Sequence, residues 1–206
     1  MLPTIDYYFT PQSPWTYLGH ARFSAIAEAA QATVRVLPVD YGRIFAVSGG
    51  LPLGQRAPQR QAYRLVELAR WRDLLGLPLN VQPKFFPVAG DNASRLIIAV
   101  DAADGVQAAM RIGGAIFAAV WEREQDINNA DTLAALLAEC GLSADRLAES
   151  RSDAVQTTYD ANTQAAITAE VFGAPSYVVD GEIFWGQDRL DFLQHRLNPS
   201  EYFTTF

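Results

Sequence analysis

Residues 4–39 read TIDYYFTPQSPWTYLGHARFSAIAEAAQATVRVLPV, and the order of patterns in this stretch decides the fold class. Residues 4–9 (TIDYYF) are β-branched and aromatic, the composition of a strand. Thr10-Pro11-Gln12 breaks that run. Ser13 then suits a helix N-cap, because its hydroxyl can accept from an orphan backbone N–H. Pro14 suits the first helical position, where a missing N–H costs nothing. Tyr17, Leu18, Ala21, Ile26 and Ala29 follow at helical spacing, which predicts a helix reaching Ala30. Residues 33–39 (TVRVLPV) alternate and predict a second strand. Strand, helix and strand in this order form a βαβ unit, right-handed by the crossover rule.

Outward from this unit the pattern changes twice. Residues 41–58 hold several Gly and Pro and read as a long loop. Helical tracts follow at 58–75, stopping at Gly76, at 92–103, opened by Asn-Ala-Ser, and at 106–122, after Asp104-Gly105. Others are read at 129–139, ending at Gly141, at 143–149, opened by Ser143, and at 152–172, ending at Gly173. After Gly173-Ala174-Pro175, residues 176–179 read as a strand, Asp180-Gly181 as a two-residue turn and 182–184 as its partner strand. Residues 187–196 read as a closing helix. No repeat or low-complexity segment interrupts this order.

Composition excludes several function classes. The chain has 206 residues, 50% hydrophobic and 19% charged, which is ordinary for a globular domain. Its net charge is −7 with no basic block, so nucleic-acid binding, which needs clustered Lys and Arg, is not expected. No apolar run approaches the ~20 residues that span a bilayer, so no membrane partner is expected. Residues 1–9 lack the basic and apolar regions of a secretory signal, and the expectation is a cytoplasmic protein. The single cysteine, Cys140, rules out an intramolecular disulfide or a paired-cysteine redox motif, and reads as a packed or incidental residue. His20 and His195 stand far apart with no ligand-spaced neighbours, so no metal site is expected. His20 reads as surface or groove-facing, and His195 as a favourable cation near a helix C-terminus.

Three motifs carry a resemblance. Ser13-Pro14-Trp15-Thr16-Tyr17-Leu18 resembles the S-P-aromatic-small-Y-L signature of 2-hydroxychromene-2-carboxylate isomerases and kappa-class glutathione transferases. Phe172 to Gly181 (FGAPSYVVDG) resembles their cis-proline segment, and Phe184 to Arg189 (FWGQDR) their glutathione loop. The element order matches over nearly the whole chain. The fold implied is α/β, a thioredoxin-like fold with a large α-helical insertion in the DsbA-like, kappa-class arrangement. Residues 1–53 and 173–206 would make the thioredoxin-like domain and 54–172 the inserted helical domain.

The resemblance implies glutathione as cofactor and gives each motif a role. Ser13 takes the place of a redox member's reactive cysteine. At a helix N-terminus, where free N–H groups favour an anion, its hydroxyl would donate to the glutathione sulfur. Serine cannot form a mixed disulfide, so redox chemistry would be lost and sulfur activation kept. Ala174 would present its backbone to the cysteinyl part of glutathione beside a cis Pro175. Trp185 would wall the pocket, and Gly186 would allow close approach. Gln187 and Asp188 would receive the γ-glutamyl group at the start of the last helix. Lys84, in the QPKFFP stretch that resembles the family's loop over the active site, is a candidate for a substrate or glycine carboxylate.

One stretch departs from the family. Where the isomerases carry a lysine and an asparagine after the second strand, this chain has Ala46 and Gly50. Arg43 is the nearby cation that could substitute. The leading expectation is a glutathione-dependent isomerase acting on 2-hydroxychromene-2-carboxylate or a related unsaturated aromatic 2-oxo acid, working as a homodimer. A kappa-like glutathione transferase and a non-catalytic thioredoxin-like peptide-binding module are the alternatives.

Overall fold

The computed structural model describes residues 2–198. Strand β1 (Thr4–Phe9), helix α1 (Pro14–Ala29) and strand β2 (Thr33–Pro38) form the βαβ unit. β1 and β2 run parallel, with Thr4 opposite Thr33. Helix α2 (Tyr41–Ser48) and a 3-10 turn at Leu53–Gln55 come next. Six helices follow: α3 (Pro58–Leu75), α4 (Asp91–Asp104), α5 (Val106–Trp121), α6 (Ala130–Glu139), α7 (Asp145–Glu149) and α8 (Asp153–Thr168). Strands β3 (Ser176–Val179) and β4 (Glu182–Trp185), a 3-10 turn at Gln187–Arg189 and helix α9 (Leu190–Leu197) complete the described chain. The sheet order is β2-β1-β3-β4, with β3 antiparallel to both neighbours. This is the thioredoxin-like α/β arrangement with helices between its two halves. Of the stretch 173–206, residues 199–206 lie outside the described residues.

Three sequence readings need correction. Residues 41–58 are not one loop, because α2 occupies 41–48. Asp40 caps it by accepting from the Gly42 N–H at 2.7 Å, and Gly49 ends it at φ 76°. The glycines there cap and flank a short helix whose Tyr41 and Ile44 are buried. The tract 152–172 stops at Thr168, short of Gly173. Glu170 takes the left-handed conformation, and the Val171 N–H closes on the Ala166 carbonyl at 2.9 Å. A non-glycine residue carries the stop, so the usual glycine signal pointed too far along. The closing helix begins at Leu190, because residues 187–189 form the tighter 3-10 turn.

The sheet separates two cores by strand alternation. Ile5, Tyr7, Phe9, Tyr177 and Phe184 face the larger core, which they share with Phe23 of α1, Leu68 of α3, Ile97 of α4 and Phe117 of α5. Tyr8 and Val178 face the smaller one, filled by Tyr41 and Ile44 of α2 and by Ala166 and Val171. The helical block thus buries its apolar side against α1 and the sheet.

His20 belongs to that packing, with only part of its surface exposed, and both its ring nitrogens are engaged. Its Nε2 lies 2.9 Å from the Met110 carbonyl, which can only accept, so Nε2 carries the proton. Nδ1 then accepts from the Tyr7 hydroxyl at 3.3 Å. A Cβ on Gly114 of α5 would come within 3.1 Å of the ring. Burial lowers the His20 pKa to about 4, so the ring is neutral where the protein works near neutral pH.

Candidate active site

The three motifs meet at one end of the sheet. Ser13 caps α1 from extended backbone (φ −76°, ψ 124°), and its Oγ accepts from the Thr16 N–H at 3.3 Å. Its own N–H donates to the Thr10 carbonyl at 3.0 Å. Tyr8 pairs with Ser176 at the end of the β1–β3 register, and Pro175 directly precedes Ser176. The Ala174-Pro175 bond is cis. Among the described residues Ala174 gives neither its N–H nor its C=O to a backbone hydrogen bond. The Gly186 N–H donates to the Pro175 carbonyl at 2.9 Å and ties the second motif to the third.

A hydroxyl that caps a helix uses a lone pair and keeps its proton. Ser13 therefore retains a donor after serving the Thr16 N–H, and at 7% exposure that donor is shielded from solvent. It also sits where the backbone dipoles of a 16-residue helix favour negative charge. The cap role and the anion-binding role are compatible in one side chain. Thr16, fully buried, has an Oγ1 with no hydrogen-bond partner, a second polar group in the same turn that sequence reading did not single out.

The third motif is shaped by close contacts. Gly186 adopts φ 97°, ψ 155°, and a Cβ there would lie 2.5 Å from Asp188 Oδ1. Asp188 Oδ2 accepts from Arg189 at 2.7 Å, with both side chains substantially exposed. Gln187 is packed beneath α1 rather than open to the site: it is 2% exposed, its Cβ lies 2.8 Å from where a Gly19 Cβ would stand, and its Nε2 finds no partner. Trp185 is half exposed and lies over the Phe172-Gly173 backbone. Its ring centroid is 4.9 Å from that of Phe172, and a Cβ on Gly173 would meet its Nε1 at 2.2 Å.

The two remaining cations stand elsewhere. Arg43, on α2, pairs with Asp160 of α8 at 2.8 Å, both side chains exposed. Lys84 lies on the segment between α3 and α4. Its N–H donates to Glu124 Oε1 at 2.9 Å, and its ammonium sits 5.0 Å from the Phe85 ring centroid. No contact among the described residues joins either one to Ser13. Cys140 caps α6 half-buried, and burial together with Glu139 raises its thiol pKa, which is the opposite of a reactive cysteine.

A βαβ unit and hairpin around an inserted helical block, with a serine at the N-terminus of the first helix and a proline bond in cis opposite, define a thioredoxin-fold protein without the redox cysteines. Residues 4–198 match the DSBA-like thioredoxin domain. The chain is 33% identical over 194 residues to the 2-hydroxychromene-2-carboxylate isomerase of Pseudomonas putida, covering 92% of each. A solved 2-hydroxychromene-2-carboxylate isomerase superposes with TM-score 0.79 at 29% identity, over 95% of both chains. Human glutathione S-transferase kappa 1 is 24% identical over 206 residues, with 94% of this chain and 90% of that one covered. The chain belongs to the DsbA-like thioredoxin-domain family and, within it, to the 2-hydroxychromene-2-carboxylate isomerase family.

Proposed function

We propose that this protein is a glutathione-dependent isomerase of 2-hydroxychromene-2-carboxylate or a related unsaturated aromatic 2-oxo acid. The observation that carries the reading is the spare Ser13 proton, shielded at the N-terminus of α1 beside an unengaged Ala174 backbone. These residues fit glutathione. A thiolate would accept from Ser13, a cysteinyl backbone would pair with Ala174 next to Pro175, and an ammonium would meet the Asp188 carboxylate. Trp185 and Gly186 would border the γ-glutamyl side, with Gln187 holding the turn from beneath. When bound, glutathione supplies a sulfur nucleophile that adds to an electron-poor carbon and later leaves it, so that a double bond can rotate with no net redox change.

The protein's own residues supply electrostatics and position. Ser13 lowers the energy of negative charge on sulfur through one hydrogen bond, helped by the helix dipole. It cannot itself be oxidised. Tyr17, one turn further along α1, donates to Glu122 Oε1 at 2.7 Å; burial and this bond raise its pKa, so it stays protonated. That bond anchors the wall opposite the sheet end.

The test is an ultraviolet titration of the protein with glutathione near neutral pH, following thiolate absorbance beside Ser13→Ala. A thiolate band in the parent that is absent in the variant supports the reading, and turnover of a benzylidenepyruvate or chromene acid completes it. No band in the parent overturns it. The kappa-class likeness favours a second reading, a transferase with the same sulfur site. It would retain glutathione in the product, which mass spectrometry of the reaction distinguishes.

A further inference from the structure

A second feature converges on this region from the helical side. The segment between α3 and α4 hangs on the C-terminal end of α5. The Asn80 N–H donates to the Trp121 carbonyl at 2.6 Å, Asn80 Nδ2 to the Glu122 carbonyl at 3.0 Å and the Lys84 N–H to Glu124. At its far end Gly90 lies against the side chain of Gln12, the residue before Ser13, so closely that a Cβ would overlap the amide. The segment therefore bridges α5 and the start of α1. Midway along it, Phe86 packs at a tilt against the buried Trp121, with ring centroids 4.9 Å apart.

Arg64 of α3 joins this pair. Its guanidinium carbon is 4.9 Å from the Phe86 ring centroid and 5.7 Å from that of Trp121. Among the described residues its buried Nη2 has no hydrogen-bond partner, and the buried Trp121 Nε1 has none either. Glu67, three residues on, is close enough in sequence to pair with it, but bonds Arg70 at 2.7 Å instead. Burial and the like charge of Arg56 pull the Arg64 pKa down to about 10, and no acidic group offsets them. Arg56 is in turn opposed by Arg60. In a chain of net charge −7, a guanidinium held against two rings with no acid among the described residues, beside a second arginine, is a standing electrostatic cost. The ligand that relieves it is an anion with two acceptor oxygens, and a guanidinium fork matches a carboxylate.

We propose that Arg64, supported by Arg56, binds the carboxylate of the aromatic acid that the enzyme isomerises, with the partly exposed Phe86, backed by the buried Trp121, as the contact for its ring. The assignment takes its substrate class from the function proposed above. Glutathione also carries carboxylates, so the shared chemistry has two sources, and the acid substrate is the one assigned. An aromatic body next to a carboxylate uses both the Phe86 ring and the cation, whereas the glycyl end of glutathione uses the cation alone.

The experiment is calorimetric titration of benzylidenepyruvate and of its methyl ester into the glutathione-free protein, using the parent, Arg64→Gln and Arg64→Lys. Each variant is first checked to fold cooperatively and to melt no lower than the parent. Arg64→Gln is expected to weaken acid binding about 10- to 100-fold, the range for a lost hydrogen bond to a charged group, and to leave the ester unchanged. Arg64→Lys, which keeps the charge and loses the planar fork, is expected to fall between. Glutathione titrations of the same proteins, read by thiolate absorbance, are expected to match. Acid and ester weakened equally, an unaltered acid affinity in Arg64→Gln, no acid binding by the parent, or a loss confined to glutathione would each overturn the assignment. Arg64-dependent acid binding in a parent that forms no thiolate would support the carboxylate site and sink only the glutathione chemistry.

Discussion

The sheet end around Ser13 and the helical wall around Arg64 handle polarity in opposite ways. At the sheet end the polar groups are small, largely neutral and oriented by backbone: a capping serine, a proline carbonyl held by Gly186 and the unengaged backbone of Ala174. On the helical wall the polar group is a full charge, oriented by two aromatic rings and without a counter-ion among the described residues. A site of the first kind stabilises charge that appears during a reaction, because its dipoles are already aimed. A site of the second kind waits for charge that arrives with a ligand. On the function proposed above, the contrast divides the labour: one wall would serve the sulfur and the other would select what the sulfur attacks.

The largest effect is expected where the dipoles are aimed. Ser13→Ala should abolish the glutathione thiolate band and lower turnover about 10²- to 10³-fold, the usual loss for one preorganised donor. The same change removes the α1 cap, so urea denaturation should also register about 1 kcal/mol of lost stability. A loss of stability with turnover intact would break the assignment of the sheet end.

Next in size is a pH effect in the packing that holds the two walls together. His20 has a folded pKa near 4 against 6.5 when free, so between those values the unfolded chain binds the extra proton. Stability is therefore full above about pH 6.5 and is lost as pH falls towards 4, by up to ~3 kcal/mol. Melting temperatures between pH 7 and pH 4.5 should show the decline, and His20→Gln, which keeps a donor for the Met110 carbonyl, should flatten it.

Gly186→Ala comes third. The backbone there lies in a region that only glycine enters freely, so urea denaturation should show a loss of about 1–3 kcal/mol. Glutathione affinity should fall with it, because the added Cβ presses on Asp188. Arg43→Gln should do least. Its pair with Asp160 is exposed, and stability should change by less than about 1 kcal/mol, with turnover unaltered. Set beside Arg64→Gln, this substitution measures how far a partnered surface arginine differs from a buried one without an acid.

Much of the fold was legible because its signals are local. Ser13-Pro14 marked the start of α1, Pro58 and Gly76 bounded α3, and Asp180-Gly181 marked the β3–β4 turn. Two boundaries were misread where the chain used an unmarked device: Asp40 capping α2 inside a glycine-rich stretch, and Glu170 turning left-handed after α8. The residues of the candidate sheet-end site were named from the sequence, because each of its three motifs is contiguous, and the fold brings the motifs to one end of the sheet. Arg64 was not. Three arginines spaced four apart, at 56, 60 and 64, hinted at uncompensated charge in an acidic chain, but Glu67 nearby offered an ordinary partner.

The sequence alone determined the βαβ unit, the helical block, the closing hairpin, the absence of paired cysteines and the serine at the head of α1. Caps, turn residues and period need only neighbours along the chain. Only the tertiary structure decided that His20 is a neutral packing residue, that Gln187 lies beneath α1, that Arg43 is spoken for by Asp160 and that Arg64 meets two rings but no acid among the described residues. Whether a polar group is satisfied depends on which distant groups the fold brings within hydrogen-bond distance, and for His20 and Met110 those lie 90 residues apart.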